Sequence, residues 1–439
     1  MAMVRQALRF ALQPNCRQRR SLARHAGASR FAYNWGLERE RAALDLRQAG
    51  DSTVPLPSAM SQHREWNNWK KGPDGIPWWN QVSKCAPQEA FRDLERGMRA
   101  FWQSRAGKRP GPQVHFPRFK KKGRSRDSFR LTGAIHLHRG AVTLPRVGTV
   151  RLFEDATRWV ERIEGGKVRV TAATLSREAD RWFVALAVEA ERDIPTSNGA
   201  TDTIGVDLGV LSLATLSDGT IIPGPKALSR SLRRLRRLSR AHSRKRRGSR
   251  NRARAGRRLA RHHARIAARR RDHLHQLTTR LAKTHGRIVV EDLNVRGLLG
   301  NRRLARSLAD SGFGEFRRQL AYKSQWYGSQ LVVADRWFPS SKTCSRCATV
   351  KLELPLSERR YHCSNCGLDM DRDLNAAINL AGWAHPAVTA SAAETLTACG
   401  ADRKTGPRPA GGCEAGPGIA PEPTGSIGGP QTPGALVTA

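Results

Sequence analysis

Three acidic residues and four cysteines stand out in this 439-residue chain as groups whose types and spacing could do chemistry. In IGVDLGV, Asp207 interrupts an apolar run and is followed by Gly209, and in IVVEDLNV, Glu291 ends a second apolar run. A charged carboxylate on a buried strand is costly unless it is paired or binds a cation. The two strands therefore predict a shared metal site.

A third carboxylate, Asp373, lies in the segment MDRDLNAAINLA. This pattern predicts a helix with Asp373 near its start and with Ala377, Leu380 and Ala381 facing the core. Three carboxylates from separate elements can hold a pair of Mg²⁺ ions, and such a pair activates water for attack on a phosphodiester. The sequence thus predicts phosphodiester hydrolysis.

Each acidic motif also has a plainer interpretation. Asp207 could be a turn residue, and Glu291 and Asp292 could be a charged pair at a strand end. Asp373 could simply cap a helix. The occurrence of all three motifs in one chain favours the metal site.

The cysteines follow the pattern C-x2-C-x15-C-x2-C and comprise Cys344, Cys347, Cys363 and Cys366. This spacing predicts a tetrahedral Cys₄ zinc site, which is structural because no coordination position stays open. Free or redox-active thiols are the alternative. The other four cysteines are scattered, and this favours a reducing, cytoplasmic compartment.

The chain carries 78 Lys and Arg against 37 Asp and Glu, a formal net charge of +41. This balance predicts a polyanionic partner, either nucleic acid or a membrane surface. No run of about eighteen apolar residues appears, and the first residues lack the apolar region of a signal peptide. We therefore expect a cytoplasmic, nucleoid-associated protein that binds nucleic acid and no membrane.

Arginine is densest in residues 232–271, where leucines recur between the charges. The pattern predicts amphipathic helices whose polar faces contact phosphates, with a solvated helix pair as the alternative. Four histidines near its end are expected to be surface residues rather than ligands: His262, His263, His273 and His275. Whether this segment binds RNA or DNA stays open.

A tryptophan-rich segment, EWNNWKKGPDGIPWWN, contains Trp66, Trp69, Trp78 and Trp79. These side chains could stack on bases, but packing between helices is the commoner use of such residues.

Periodicity divides the chain into a multidomain protein of mixed α/β and α+β class. It predicts a strand within residues 1–15, a helical region at about 16–105, a small β-rich domain at 109–191 that is expected to be a barrel, a layered α/β domain from about residue 203, and a disordered tail at 386–439. Within the α/β domain, TIGVDLGVLSLATLSDGTII predicts two strands joined at Ser217-Asp218-Gly219.

The ordered motifs GVDLGV, VVEDLNV, FPSSKTCSRC, YHCSNCG and DRDLNAAINLA resemble those of the TnpB family, proteins of small insertion sequences related to compact type V CRISPR effectors. RFAYNWGL, SKCAPQEAFRDLERGMRAF, PRFKKKG and LPRVGTVRL extend the resemblance over about residues 4–384.

The resemblance implies a RuvC-like nuclease domain of RNase H fold (residues 199–341 and 367–385) with an inserted Cys₄ zinc ribbon (342–366), a β-barrel wedge domain (1–15 and 106–198) and a helical recognition lobe (16–105). It implies an RNA-guided DNA endonuclease that binds a guide RNA from the transposon end and cuts beside a short adjacent motif. Base pairing would then read most of the target.

The family's nuclease triad carries over to Asp207, Glu291 and Asp373, because Asp-x-Asn-Ala-Ala begins at Asp373. Lys84 and Gln88 fall where the family's adjacent-motif contacts are expected, and both side chains can hydrogen-bond base edges.

Two other functions remain open. A transposase that uses a tyrosine nucleophile would need a positioned Tyr beside a metal-binding His pair, and none of the 4 Tyr is so placed in the sequence. A guide-directed repressor that binds without cutting would normally have lost a carboxylate. The guide, the adjacent motif, the cut pattern and the oligomeric state depend on partners outside the chain.

Overall fold

The computed structural model describes residues 2–383 except 74 and 356. The predicted disorder of residues 386–439 falls outside the described residues. In the described part, no helix is both long and apolar enough to cross a membrane.

The chain begins with a long strand and three helices, as the periodicity predicts. These are β1 (Ala2–Gln13), α1 (Cys16–Gln48), α2 (Ala59–Trp69) and α3 (Cys85–Arg105), with a 3₁₀ turn at Trp79–Gln81. Asn15 starts α1 with a reciprocal capping box, in which its side chain accepts from the Gln18 amide and the Gln18 side chain accepts from the Asn15 amide.

The helices enclose an aromatic core. Trp66 is 2% exposed and contacts Trp35 and Phe91, with ring centroids 5.4 and 5.8 Å away. Trp69 and Trp78 are half-buried against the same core. These three tryptophans therefore pack between helices, while Trp79 stays exposed.

A seven-stranded antiparallel sheet follows. Its remaining strands are β2 (Ser128–Leu131), β3 (His136–His138), β4 (Ala141–Leu144), β5 (Gly148–Leu152), β6 (Val168–Glu178) and β7 (Arg181–Arg192), with α4 (Thr157–Glu164) between β5 and β6. The order is β2-β6-β7-β1-β5-β4-β3. The N-terminal strand β1 therefore lies at the centre of a sheet whose other strands come more than 100 residues later.

The predicted β-barrel is not found as a closed barrel in the described residues. Buried side chains from all seven strands share one core, so the sheet curls around that core. The edge strands β2 and β3 pair only with β6 and β4, respectively, and not with each other. Because both edges are only three or four residues long, they offer little backbone for closure.

A second, mixed sheet forms the other half of the protein. Its strands are β8 (Thr203–Asp207), β9 (Ser212–Leu216), β10 (Ile221–Pro223), β11 (Arg287–Glu291) and β12 (Gln330–Ala334), in the order β10-β9-β8-β11-β12. Strand β11 runs parallel to β8 and β12, and β9 is antiparallel to its neighbours. The predicted turn at Ser217-Asp218-Gly219 joins β9 to β10, but the run forms three strands because the chain also reverses after Asp207.

Helices cover both faces of this sheet. The remaining elements are α5 (Ala227–Ser243), α6 (Arg250–Thr284), α7 (Val295–Gly300), α8 (Ala305–Ser311), α9 (Phe313–Tyr327), β13 (Arg360–His362), β14 (Asp369–Asp371) and α10 (Arg372–Ala381). Leu277 of α6 and Phe316 of α9 pack on one face, and Leu380 of α10 packs against Val289 on the other. Gly205 allows the α10 backbone to rest directly on β8.

Helices α5 and α6 form the predicted amphipathic pair. Leu235, Leu238 and Leu259 are half-buried, whereas most of the arginines between them are exposed. The prediction that all four histidines lie on the surface is wrong for His262, which is 8% exposed with its Nε2 3.5 Å from the Ser231 carbonyl. The reason is that α6 packs on α5 at this point.

Candidate functional site

Asp207 and Glu291 occupy the same edge and the same face of the mixed sheet. Val206 of β8 is paired with Val290 of β11 in parallel register, so the two carboxylates come next on neighbouring strands. Val206 and Val290 belong to the core under α6 and α9. Because side chains alternate along a strand, Asp207 and Glu291 project toward the opposite face, which α10 covers.

Asp373 enters this region from the first turn of α10. The N-cap is Asp371, whose side chain accepts from the amides of Asp373 and Leu374 at 2.9 and 3.1 Å. Because Asp371 caps the helix, the side chain of Asp373 is not used for capping. The Oδ2 atom of Asp373 lies 3.9 Å from the position that a β-carbon on Gly209 would occupy. The Asp373 carboxylate is therefore close to the turn that follows β8.

Negative charge accumulates around Asp207. Burial raises the pKa of Asp207 well above its ordinary value of 3.8, and the charges of Glu291 and Asp373 raise it further. Burial also raises the pKa of Asp373, with a contribution from Asp371 that Arg359 and Arg372 oppose. A buried carboxyl whose pKa is raised by neighbouring acidic groups marks a site that favours binding of a cation.

Glu291 and its neighbour Asp292 have different surroundings. Asp292 binds Arg317 and Arg336, which outweigh burial and lower its pKa. Glu291 accepts a hydrogen bond at 2.5 Å from the hydroxyl of Ser340. The two acidic residues are therefore not a simple charged pair, because Asp292 has its own cations and Glu291 faces the other carboxylates.

The three carboxylates suit a hard divalent cation by their chemistry, since all their donors are oxygen. Their oxygen atoms lie farther apart than the ligand atoms of a preformed metal site. In the described part of the chain, the four cysteines alone form a group of potential ligands whose atoms all lie within 4.8 Å of one another. A loose carboxylate set suits Mg²⁺, which retains several water ligands.

The four cysteines meet as the spacing predicts. The Sγ atoms of Cys344 and Cys366 are 3.6 Å apart, as are those of Cys347 and Cys363. Tetrahedral zinc with Zn–S bonds of about 2.3 Å requires sulfur atoms about 3.8 Å apart. The cluster therefore fits zinc.

Both cysteine pairs use the same turn. Ala348 and Gly367 each follow the second cysteine of a pair, and both have positive φ angles, of 60° and 70°. Each donates its amide at 2.9 Å to the carbonyl of the first cysteine in its own pair, namely Cys344 or Cys363. Between the pairs, the fully buried Tyr361 fills the small core of the insert.

Lys84 and Gln88 lie at the start of α3, away from the acidic cluster. Lys84 precedes the helix and is exposed, and Gln88 is half-buried in the first turn. Burial lowers the pKa of the nearby His63, and the positive charges of Lys70, Arg92 and Lys84 lower it further. This end of α3 is therefore electropositive.

Three polar residues near the site were not among those predicted from sequence. Ser340 contacts Glu291, and Asn375 and Asn379 are bound to the chain that enters the zinc insert. Asn375 and Asn379 could have been found from their spacing, because they lie four residues apart, on one face of the helix that carries Asp373.

Comparison with known proteins places the chain in a family. It is 43% identical to a Mycobacterium tuberculosis protein named "Putative RNA-guided DNA endonuclease", over 93% of each chain. It is 33% identical to an Escherichia coli K12 protein of the same description, over 87% of this chain and 92% of the other. The chain belongs to the TnpB family.

Family models also match parts of this TnpB-family chain. They are described as "Probable transposase" (residues 185–302), "Cas12f1-like, TNB domain" (313–380) and "Helix-turn-helix domain" (1–48). Within the last range the described residues form β1 and the single helix α1 instead. A Cas12f1–sgRNA–target DNA complex aligns with a TM-score of 0.44 at 13% identity, over 86% of this chain and 99% of the other.

Proposed function

We propose that this TnpB-family protein is an RNA-guided DNA endonuclease of a transposable element, and that it hydrolyses phosphodiesters with Mg²⁺ held by Asp207, Glu291 and Asp373. The observation that carries the proposal is the approach of these three carboxylates from β8, β11 and α10 at one edge of the mixed sheet. The relatives named as RNA-guided DNA endonucleases support the guide and the DNA target.

In this proposal Asp207 is the central ligand, because the charges of both other carboxylates raise its pKa. Bound Mg²⁺, as one ion or a pair, would activate water and stabilise the leaving oxygen of the phosphodiester. Ser340 holds one oxygen of Glu291 and leaves the other for the ion. The Cys₄ zinc is structural.

The rest of the chain would bind nucleic acid. Exposed arginines on α5 and α6 would contact phosphates of the guide RNA or the DNA, while Lys84 and Gln88 would contact the adjacent motif. We assign residues 1–15 and 106–198 to the wedge domain, 16–105 to the recognition lobe, 199–341 and 367–385 to a RuvC-like nuclease domain, and 342–366 to the zinc insert. A cytoplasmic, nucleoid-associated location follows from this activity.

The test is cleavage of a plasmid library by the full chain co-expressed with its transposon-end RNA, with and without Mg²⁺. We expect guide-directed cuts beside a fixed motif with the wild type and a loss of at least about 10³-fold with Asp207→Asn. The matched control is Asp371→Asn, which keeps a capping side chain two residues from Asp373 and should keep cutting.

The alternatives give different results. Guide-directed binding by the wild type with no cuts would identify a repressor, and joined strands or a covalent tyrosine adduct would identify a transposase. Cutting that is equal in wild type and Asp207→Asn would refute the triad assignment.

A further inference from the structure

Two asparagines of α10 hold the chain that enters the zinc insert. Asn375 is fully buried; its Oδ1 accepts from the Ser345 amide at 3.0 Å and its Nδ2 donates to the Thr343 carbonyl at 2.7 Å. One turn later, the Nδ2 of Asn379 donates to the carbonyls of Ser340 and Thr343 at 2.7 and 2.6 Å. The segment before and through the first zinc cysteine is thus fixed along α10.

The same segment reaches a candidate magnesium ligand. Ser340 is 4% exposed, and its hydroxyl donates to Glu291 at 2.5 Å while its carbonyl accepts from Asn379. Asp373 lies two residues before Asn375 on the same helix. One hydrogen-bonded segment therefore joins Glu291 on β11 to the helix that carries Asp373.

The other end of this connection is the zinc cluster. Cys344 lies between Thr343 and Ser345, the two residues that Asn375 binds. Zinc bound to Cys344 would therefore fix the same stretch of backbone that Asn375 holds. The insert also contacts the start of α10, where the Arg372 side chain donates to the Pro355 carbonyl at 2.9 Å. The position of α10 thus depends on the folded insert.

We propose that Ser340, Asn375 and Asn379 are positioning residues through which the zinc-binding insert sets the separation of Glu291 and Asp373. The inference rests on the proposed role of these carboxylates as magnesium ligands. Asparagine suits the task because its amide donates and accepts at once, and Asn375 does both. Loss of a hydrogen-bonding partner behind a metal ligand typically costs about 10–100-fold in metal affinity or activity.

The test compares Ser340→Ala and Asn379→Ala with the wild type, each as the full zinc-loaded chain. Mn²⁺, a spectroscopic substitute for Mg²⁺, is titrated and followed by electron paramagnetic resonance. The cleavage rate at saturating DNA and the half-saturating DNA concentration are measured separately. We expect about tenfold weaker Mn²⁺ binding and an equally slower rate in both variants. The half-saturating DNA concentration and the zinc content should not change.

Two further variants sharpen the test. Ser340→Thr keeps the hydroxyl and should restore Mn²⁺ affinity. Arg360→Ala removes the exposed ion pair between Arg360 of the insert and Asp369, which involves none of Ser340, Asn375 and Asn379, and should resemble the wild type.

Unchanged Mn²⁺ affinity and rate in Ser340→Ala and Asn379→Ala, with only a lower melting temperature, would overturn the proposal and leave these residues a structural role. Ser340→Ala decides the matter if Asn379→Ala does not fold. A wild type that makes no guided cuts would contradict the proposed endonuclease activity, whereas the Mn²⁺ titration tests the positioning role independently.

Discussion

A β-carbon on Gly205 would lie 1.9 Å from the carbonyl oxygen of Ala377, so helix α10 rests directly on strand β8. This contact sets how close Asp373 comes to Asp207. Even one added methyl group must push the helix off the sheet, because the obstructing atoms belong to the backbone.

We therefore expect Gly205→Ala to destabilise the protein by about 3 kcal/mol or more and to abolish cleavage. Thermal denaturation and the plasmid assay measure the two effects. Gly27→Ala is the control: its β-carbon meets open space inside α1, and better helix propensity should stabilise the protein by about 0.5–1 kcal/mol. Equal effects of the two substitutions would contradict the close contact.

Asp207→Asn should stabilise the zinc-loaded protein at neutral pH when no Mg²⁺ is bound. The folded-state pKa of Asp207 is raised above 3.8, so folding favours its protonated form. The contribution of this carboxyl to stability is lost as pH rises from 3.8 through the raised pKa. In buffer without Mg²⁺ and without a chelator, which leaves the zinc bound, the variant at about pH 8 should melt roughly 2–4 °C above the wild type, and the gap should narrow as pH falls.

Adding Mg²⁺ should reverse this order, because the ion stabilises a chain that binds it and the variant has lost one ligand. A wild type that is the more stable protein at about pH 8 in zinc-retaining buffer without Mg²⁺ would contradict the accumulation of negative charge around Asp207.

Cys347→Ser should remove zinc and unfold residues 342–366, since a structural zinc contributes folding free energy directly. Zinc content by atomic absorption and limited proteolysis of the insert report the change. The control, Cys16→Ser, alters an exposed cysteine at the start of α1 and should retain one zinc per chain. Full zinc retention in Cys347→Ser would exclude the Cys₄ site.

Ala348→Gly should stabilise the insert. Ala348 has a φ of 60°, a conformation that costs a residue with a side chain about 1 kcal/mol, and the equivalent residue after the second cysteine pair is already Gly367. Slower proteolysis of the zinc-loaded insert is the expected result. Faster proteolysis would show that the Ala348 methyl group contributes packing that outweighs the strain.

Replacing Arg233 and Arg237 with alanine should weaken nucleic-acid binding and its salt dependence. Both side chains are exposed and lie one turn apart on α5. Each lost phosphate contact lowers the slope of log affinity against log salt by about 0.7–0.9. Arg318→Ala on α9 is the control, because Arg318 is already paired with Glu315. An unchanged slope in the double variant would favour a solvated helix pair.

Much of the fold could be read from local patterns. The apolar runs at RIVVE and QLVVA form strands, and the helices of residues 16–105 follow their apolar periodicity, because burial of one face depends on residues a few positions apart. A closed barrel is not found in the described residues, and alternation alone could not decide closure, because closure depends on whether the two edge strands β2 and β3 pair with each other. His262 was misplaced for a similar reason: its burial comes from α5, not from its own neighbours.

By itself the sequence determined which residues could bind metal, because ligand chemistry lies in the side-chain type and the cysteine spacing limits how a zinc site can form. Only the tertiary structure decided how those residues are held. The register of β8 and β11 places Asp207 beside Glu291. Because Gly205 has no side chain, α10 can pack directly on β8. The hydroxyl of Ser340 donates to Glu291, 49 positions away, and its carbonyl accepts from Asn379, 39 positions away, and partners so far apart in the chain cannot be paired from the sequence.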